Sequence, residues 1–219
     1  MTPENYDAWY NTPRGRWIGE TEFDLLSRLL ASKAGETLLD VGCGTGWFTR
    51  RFAESNGLKV TGLDPSTDWL SYANQQHARQ CASHINWVEG DARGLPFEDG
   101  SFDHAVSVTA LCFVDGWQQA LKEMARVARR RIVLGLLNHN SMLYWQKGHH
   151  GGCGAYRGAH WHTTDEVRAA LATLPVCNVQ VCTAIFLPSG SGFARTLEQL
   201  LPNRLLFGGF LAISAEVKR

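Results

Sequence analysis

The residues best placed to do chemistry are carboxylates that close short apolar runs. Residues 38–46 read Leu-Leu-Asp-Val-Gly-Cys-Gly-Thr-Gly, an apolar strand ending in Asp40 and passing straight into Gly42, Gly44 and Gly46. Alternating glycines allow unusual backbone angles and let a ligand approach the peptide groups. The spacing is G-x-G-x-G, not the dinucleotide fingerprint G-x-G-x-x-G, and a carboxylate at the strand end would repel the pyrophosphate that such a turn holds. The pattern therefore predicts a nucleotide-like ligand carrying positive charge. A second run, 58–63, closes in Asp64, an acid placed to accept hydrogen bonds from two ribose hydroxyls. A third, 85–88, leads into Glu89, Gly90, Asp91 and Ala92. Three successive strands are thus expected to deliver acids to one crevice.

At these residues the chain resembles the class I S-adenosylmethionine-dependent methyltransferases, in their small-molecule, ubiquinone-biosynthesis-like branch. The likeness covers residues 36–137 and includes Leu95-Pro96-Phe97 and Phe102-Asp103 before the fourth strand. It implies S-adenosylmethionine as cofactor, with Asp40, Gly42, Gly44 and Gly46 around the methionine moiety, Asp64 on the ribose, and Asp91 with the Ala92 amide reading the adenine. Pro65, Trp69 and Thr109 are further cofactor candidates, and Tyr6, Tyr10 and Arg14 would reach it from an N-terminal arm, residues 1–19. The fold implied is α/β, doubly wound, a seven-stranded mostly parallel sheet with an antiparallel last strand. The activity implied is in-line methyl transfer to a small-molecule acceptor.

Positioning could supply roughly 7 to 11 kcal/mol of such a barrier, so a dedicated base is optional. Three residues beyond the fifth strand are candidates for one: His139, Tyr156 and His160. His139 precedes, and Tyr156 and His160 lie within, a loop, 146–161, with glycines at 148, 151, 152, 154 and 158. A long glycine-rich connection of this kind reads as a lid, with Trp145, Tyr156 and Trp161 as apolar walls for the acceptor. His149, His150, Cys153, His160 and His162 raise metal binding. Adjacent histidines serve one ion poorly, however, and the spacing matches no common zinc pattern, so no metal is expected. A non-catalytic S-adenosylmethionine-binding protein, an NAD(P)-dependent reductase and an aminopropyltransferase remain as alternatives.

Holding these residues requires strands over 38–41, 58–63, 85–88, 102–109, 132–137, 176–186 and 207–217. The helices between them are read from apolar spacing. Phe23, Leu26, Leu29 and Leu30 mark one over 20–32, stopped by Gly35; Trp47, Phe48 and Phe52 mark the next; Trp69, Tyr72 and Ala73 mark one over 66–81. Asp115 is expected to cap a helix burying Trp117, Leu121, Met124 and Ala128, with Arg126, Arg129, Arg130 and Arg131 at its C-terminus. Thr163 and Glu166 form a capping-box pattern, and 193–200 is a short helix. Residues 1–19, with Tyr6, Trp9, Tyr10 and Trp17, look too irregular for a regular element and too aromatic for a disordered tail.

A chain of 219 residues suits one domain with its own core. Lys plus Arg equals Asp plus Glu, 21 each, with a pI near 7.1, which offers no electrostatic footprint for nucleic acid. Six cysteines without a C-x-x-C pair predict reduced thiols and a cytoplasmic protein. No apolar leader and no membrane-length apolar run is present, so a soluble protein away from the membrane is expected.

Overall fold

A computed structural model describes residues 2–80 and 85–218. The strands are β1 (Thr37–Val41), β2 (Lys59–Asp64), β3 (Ile85–Glu89), β4 (Phe102–Val108), β5 (Ala128–Leu137), β6 (Val176–Ala184) and β7 (Phe210–Val217). They form one seven-stranded sheet in the order β3-β2-β1-β4-β5-β7-β6. β1 to β5 pair in parallel, and β7 enters antiparallel between β5 and β6. The order reverses beside β1, where a wound sheet opens its ligand crevice.

Strand side chains alternate between the two faces of this sheet, and the alternation decides where the glycine turn's acid goes. Leu38 enters the core under α2 (Pro13–Leu30) and α3 (Trp47–Asn56). Leu39 and Val41 enter the opposite core, under α5 (Trp117–Val127). Asp40 therefore shares the face of Leu38, and its Oδ2 accepts a 2.6 Å hydrogen bond from Thr49 of α3.

The N-terminal segment, expected as an irregular arm, is instead two helices, α1 (Pro3–Asn11) and α2. Each opens on Thr-Pro. Thr2 Oγ1 accepts from the Asn5 amide and Thr12 Oγ1 from the Gly15 amide, while Pro3 and Pro13 occupy first helical positions where no amide donor is needed. Thr12 Oγ1 also donates to the Trp9 carbonyl, so one residue closes α1 and starts α2. The left-handed cap of α2 is Ala31, not Gly35.

Three more boundaries move. Asp115 makes no cap; Gly116 precedes α5 with no side-chain hydrogen bond. Ala128 begins β5, so only Arg126 of the arginine cluster lies on the helix, while Arg129, Arg130 and Arg131 are strand residues. Arg131 donates to the Leu29 and Leu30 carbonyls and so caps α2, a helix distant in sequence. α4 (Thr67–Gln80) runs up to the edge of the described residues, and Cys81 lies outside them. The remaining elements are α6 (Met142–Lys147), α7 (Thr164–Ala172) and α8 (Gly192–Leu200). Cys43, Cys112, Cys153, Cys177 and Cys182 are free, and no described helix is long and apolar enough to cross a membrane.

Candidate active site

Three neighbouring cavities lie at the C-terminal rim of the sheet. The first, about 410 Å³, is walled by Asp40, Gly42, Gly44, Thr45 and Asp64, with Trp69, Thr109, Tyr6 and Tyr10 above them. α1 is fixed over this cavity by Tyr10 stacked on Trp47 at 4.3 Å, by Tyr6 edge-on to Trp69 at 5.4 Å, and by Asp7 against Arg50 at 3.4 Å. The second, about 430 Å³, shares Gly42 and Asp64 with the first and adds Pro65, Asp91 and Ala92. The acids thus gather as expected, but in two adjoining cavities, with Asp64 common to both. Trp69 stands in the first cavity, away from Asp91 and Ala92.

The acids differ in state. Burial pushes the Asp40 carboxyl up to about 7, against the Thr49 hydrogen bond, and the neighbouring Asp64 pushes the same way. Burial also raises Asp64, although its oxygens accept from the Ser66 and Gly44 amides at 3.0 and 2.9 Å. Asp91 is held down at about 2 by bidentate pairing with Arg93 at the surface. Thr45 is buried and its Oγ1 has no partner among the described residues, leaving one unspent polar atom in the first cavity's wall. The glycines divide as well. A Cβ on Gly42 would stand 2.2 Å from Ala110 Cβ and one on Gly46 2.4 Å from the Trp87 ring, so protein packing fills those two places. Gly46 consequently does not line the cavity; Gly44, whose added Cβ would meet only Trp69 at 3.4 Å, does.

The third cavity, about 320 Å³, is lined by Trp9, Arg14, Ile18, Leu143, Tyr156 and Phe210 among others. One residue there was not foreseen from sequence. Glu22 lies in the apolar stripe of α2, four residues from both Ile18 and Leu26, and no described residue hydrogen-bonds its carboxyl. Burial alone pushes it up to about 8. Its signal was legible: an acid at a core position of an amphipathic helix is the informative exception. Tyr156 stands in the same cavity, raised by burial to about 12 and therefore a neutral phenol. Thr109 and Ile185, both β-branched and both at positive φ (57° and 63°), line the cavity; such outliers concentrate at functional sites. Glu198 holds the Ile185 turn by accepting from the Ile185 and Phe186 amides.

His139 and His160 line none of these cavities. The His139 ring lies 4.0 Å from that of Tyr144, and His160 faces Glu166 and Trp117. Trp145 is 75% exposed, and Trp161 is buried in the core behind Tyr156, so of the three expected walls only Tyr156 meets the space. The loop still contributes: Ala155 borders both the first and third cavities.

Comparison with known proteins bears on this geometry. Residues 39–134 match a family described as the methyltransferase domain. The chain is 37% identical over 112 residues to the malonyl-acyl-carrier-protein O-methyltransferase of Pectobacterium atrosepticum, covering 51% of this chain and 42% of that protein. It is 39% identical over 99 residues to the demethylmenaquinone methyltransferase of Oceanobacillus iheyensis, covering 44% and 42%. These matches span less than half the length of the relatives. A SAM-dependent methyltransferase of Thermotoga maritima superposes with a TM-score of 0.77 at 24% identity, over 98% of this chain and 96% of that one. Residues 39–134 are thus similar to the methyltransferase domain, and the described chain takes a seven-stranded fold like that of the Thermotoga maritima protein.

Proposed function

We propose that this protein transfers a methyl group from S-adenosylmethionine to a small, largely apolar acceptor that sheds a proton, held in the cavity beside Glu22. The observation that carries the reading is a shared wall. Tyr6, Tyr10, Thr109, Phe113 and Ala155 border both the glycine-turn cavity and the Glu22 cavity, so a donor in one meets an acceptor in the other. The first two cavities fit the donor. Asp40 and Asp64 supply negative charge against a sulfonium and an ammonium, the unpartnered Thr45 hydroxyl faces a polar group, and the uncapped start of α3 suits a carboxylate. Asp64 would take the ribose hydroxyls, with Pro65, Asp91 and Ala92 beside the base.

When bound, S-adenosylmethionine supplies an electrophilic methyl on sulfur. Tyr6, half-buried, and Tyr10, buried, are phenols whose pKa values burial raises; they seal the junction against water and remain neutral. Glu22, once ionised, accepts the proton that the acceptor loses as its heteroatom bonds to the methyl carbon and the carbon–sulfur pair stays with sulfur. Its raised pKa suits a base working near neutrality. The relatives' names, O-methyltransferase and demethylmenaquinone methyltransferase, support an oxygen- or quinone-type acceptor. The free thiols support a reducing cytoplasm.

Calorimetric titration with S-adenosylmethionine and, separately, NADH tests the donor. One equivalent of the first and none of the second is expected, and a preference for NADH overturns the reading. Release of S-adenosylhomocysteine over a panel of phenols, quinols and amines tests the acceptor. Donor binding with no turnover on any of them would instead mark a binding protein.

A further inference from the structure

In the sequence, the adjacency of His149 and His150 and the lack of a zinc spacing argue against a metal. The fold changes the set: it leaves those two out and brings in a carboxylate. His160, His162 and Glu166 converge so that one ligand atom from each lies within 4.8 Å of the others. Their elements hold them there. The His162 amide donates to the Leu137 carbonyl and its own carbonyl accepts from the His139 amide, which pins it beside the end of β5. The His160 amide donates to the Cys112 carbonyl, and Glu166 sits in the first turn of α7, where Thr163 caps its amide. The capping pattern is only half made, because the Glu166 carboxylate turns to His160 Nε2 at 2.7 Å.

An independent observation points to a ligand. His162 is wholly buried, and neither of its ring nitrogens has a hydrogen-bond partner among the described residues. Buried polar atoms are almost always satisfied, and an orphaned imidazole packed edge-on against Trp117 at 4.8 Å asks for an explanation.

We propose that His160, His162 and Glu166 bind a divalent transition-metal ion, zinc by the chemistry of the set. Two imidazoles and one carboxylate form a zinc donor set that leaves a fourth position for water. Tetrahedral coordination needs ligand atoms about 3.3 Å apart. The side chains of His160, half exposed, and Glu166, about a third exposed, can turn to close that gap, whereas His162 is fixed. None of the three lines the donor or acceptor cavities, so the ion would act as a clip. It would join the return of the glycine-rich loop to the start of α7, independently of the reaction assigned above.

The test uses the full chain, stripped with a chelator and dialysed, then titrated with zinc chloride by calorimetry and with cobalt(II) by visible absorption. One equivalent of zinc is expected, with cobalt bands of tetrahedral intensity and a higher melting temperature. His160→Ala and Glu166→Gln, both at surface positions, should each weaken binding by roughly 100-fold, at the upper end of what even outer-shell changes cost. His162→Phe should abolish it, while the double variant His149→Ala with His150→Ala binds as the parent does. No saturable binding to the parent overturns the proposal. So does parent-like affinity in a folded His160→Ala protein, or loss of binding in the His149 and His150 variant.

Discussion

The two ends of the same sheet use the same residue types to opposite effect. At the end where β1 begins, every described carboxylate of the cluster has a partner. Glu36 bonds His104 Nε2 at 2.8 Å, the Lys33 amide and Arg130; Asp103 accepts from the Thr37 amide and hydroxyl and faces Arg129. Burial would raise both acids, but these bonds win and hold them below the ordinary range. At the far end, Asp40, Asp64 and Glu22 all stand above it, because burial there is not matched by cationic partners. Only three residues of β1, Thr37, Leu38 and Leu39, separate Glu36 from Asp40. The paired carboxylates at the near end hold the fold. Asp40, Asp64 and Glu22 lack, among the described residues, a cationic partner such as Asp91, at the same rim, finds in Arg93; on the proposed function their unspent charge serves a ligand.

The sharpest way to break this contrast is Glu22→Gln. If the carboxylate serves as base, turnover should fall by roughly 10²- to 10⁴-fold with donor affinity unchanged, measured by steady-state kinetics beside calorimetry. In the parent, kcat/KM should climb with pH and level off above about 8, since only the ionised form accepts a proton. The stability sign is the reverse. A carboxyl whose folded pKa is raised from 4.5 to about 8 costs nothing below the lower value and progressively destabilises the fold as pH rises toward the upper one. Glu22→Gln should therefore melt higher than the parent at pH 8, by up to about 4 kcal/mol, and equally at pH 4. A variant that is equally active, or no more stable at pH 8, would place Glu22 with the structural acids.

Next in size is Asp64→Ala, expected to weaken the donor by about 2 to 4 kcal/mol through loss of a charged acceptor for buried hydroxyls. Unchanged affinity by calorimetry would remove Asp64 from the site. Asp40 adds a pH signature. Its folded pKa near 7 means that protonation competes with a cationic donor below that value, so affinity should fall about tenfold per pH unit from 7 downward. Asp40→Asn should flatten the profile, and a parent profile already flat between pH 5 and 7 would contradict the charge argument.

How much of this was legible in the chain follows from what each signal depends on. The strands were, because a buried strand is a short apolar run whatever covers it, and Asp40's orientation follows from the alternation of side chains along β1. The two N-terminal helices were legible in principle from Thr2-Pro3 and Thr12-Pro13, but their aromatics break the apolar stripe that periodicity looks for. Glu22 was within reach for the same reason in reverse, as an acid inside a stripe. His139 and His160 stand away from the cavities for a different reason. Lying just beyond a strand fixes the rim but not the side, and their rings turn to Tyr144 and to Glu166. The arginine run misled because charge suits a helix end, yet Arg131 found the end of α2 across the fold.

The paired end should respond weakly and only in stability. Glu36→Gln leaves the 3%-exposed His104 without its charged partner and should cost about 1 kcal/mol in denaturant unfolding, with donor affinity unchanged. Because the folded Glu36 pKa is lowered, its contribution is present above the ordinary glutamate value and is lost as pH falls below it, opposite to Glu22.

Arg129→Gln is the smallest test and the most diagnostic of pairing as such. Its guanidinium is 43% exposed and reaches Asp103 at 3.1 Å, while Asp103 keeps both hydrogen bonds from Thr37 when the arginine is gone. An exposed ion pair of this sort is worth about 0 to 1 kcal/mol, less in salt. The expected change is a few tenths of a kcal/mol, erased at 1 M salt, where the screening length shrinks to about 3 Å. A loss that survives high salt would mean that Asp103, like the acids at the other rim, is short of partners, and the division between the two ends would then be one of degree.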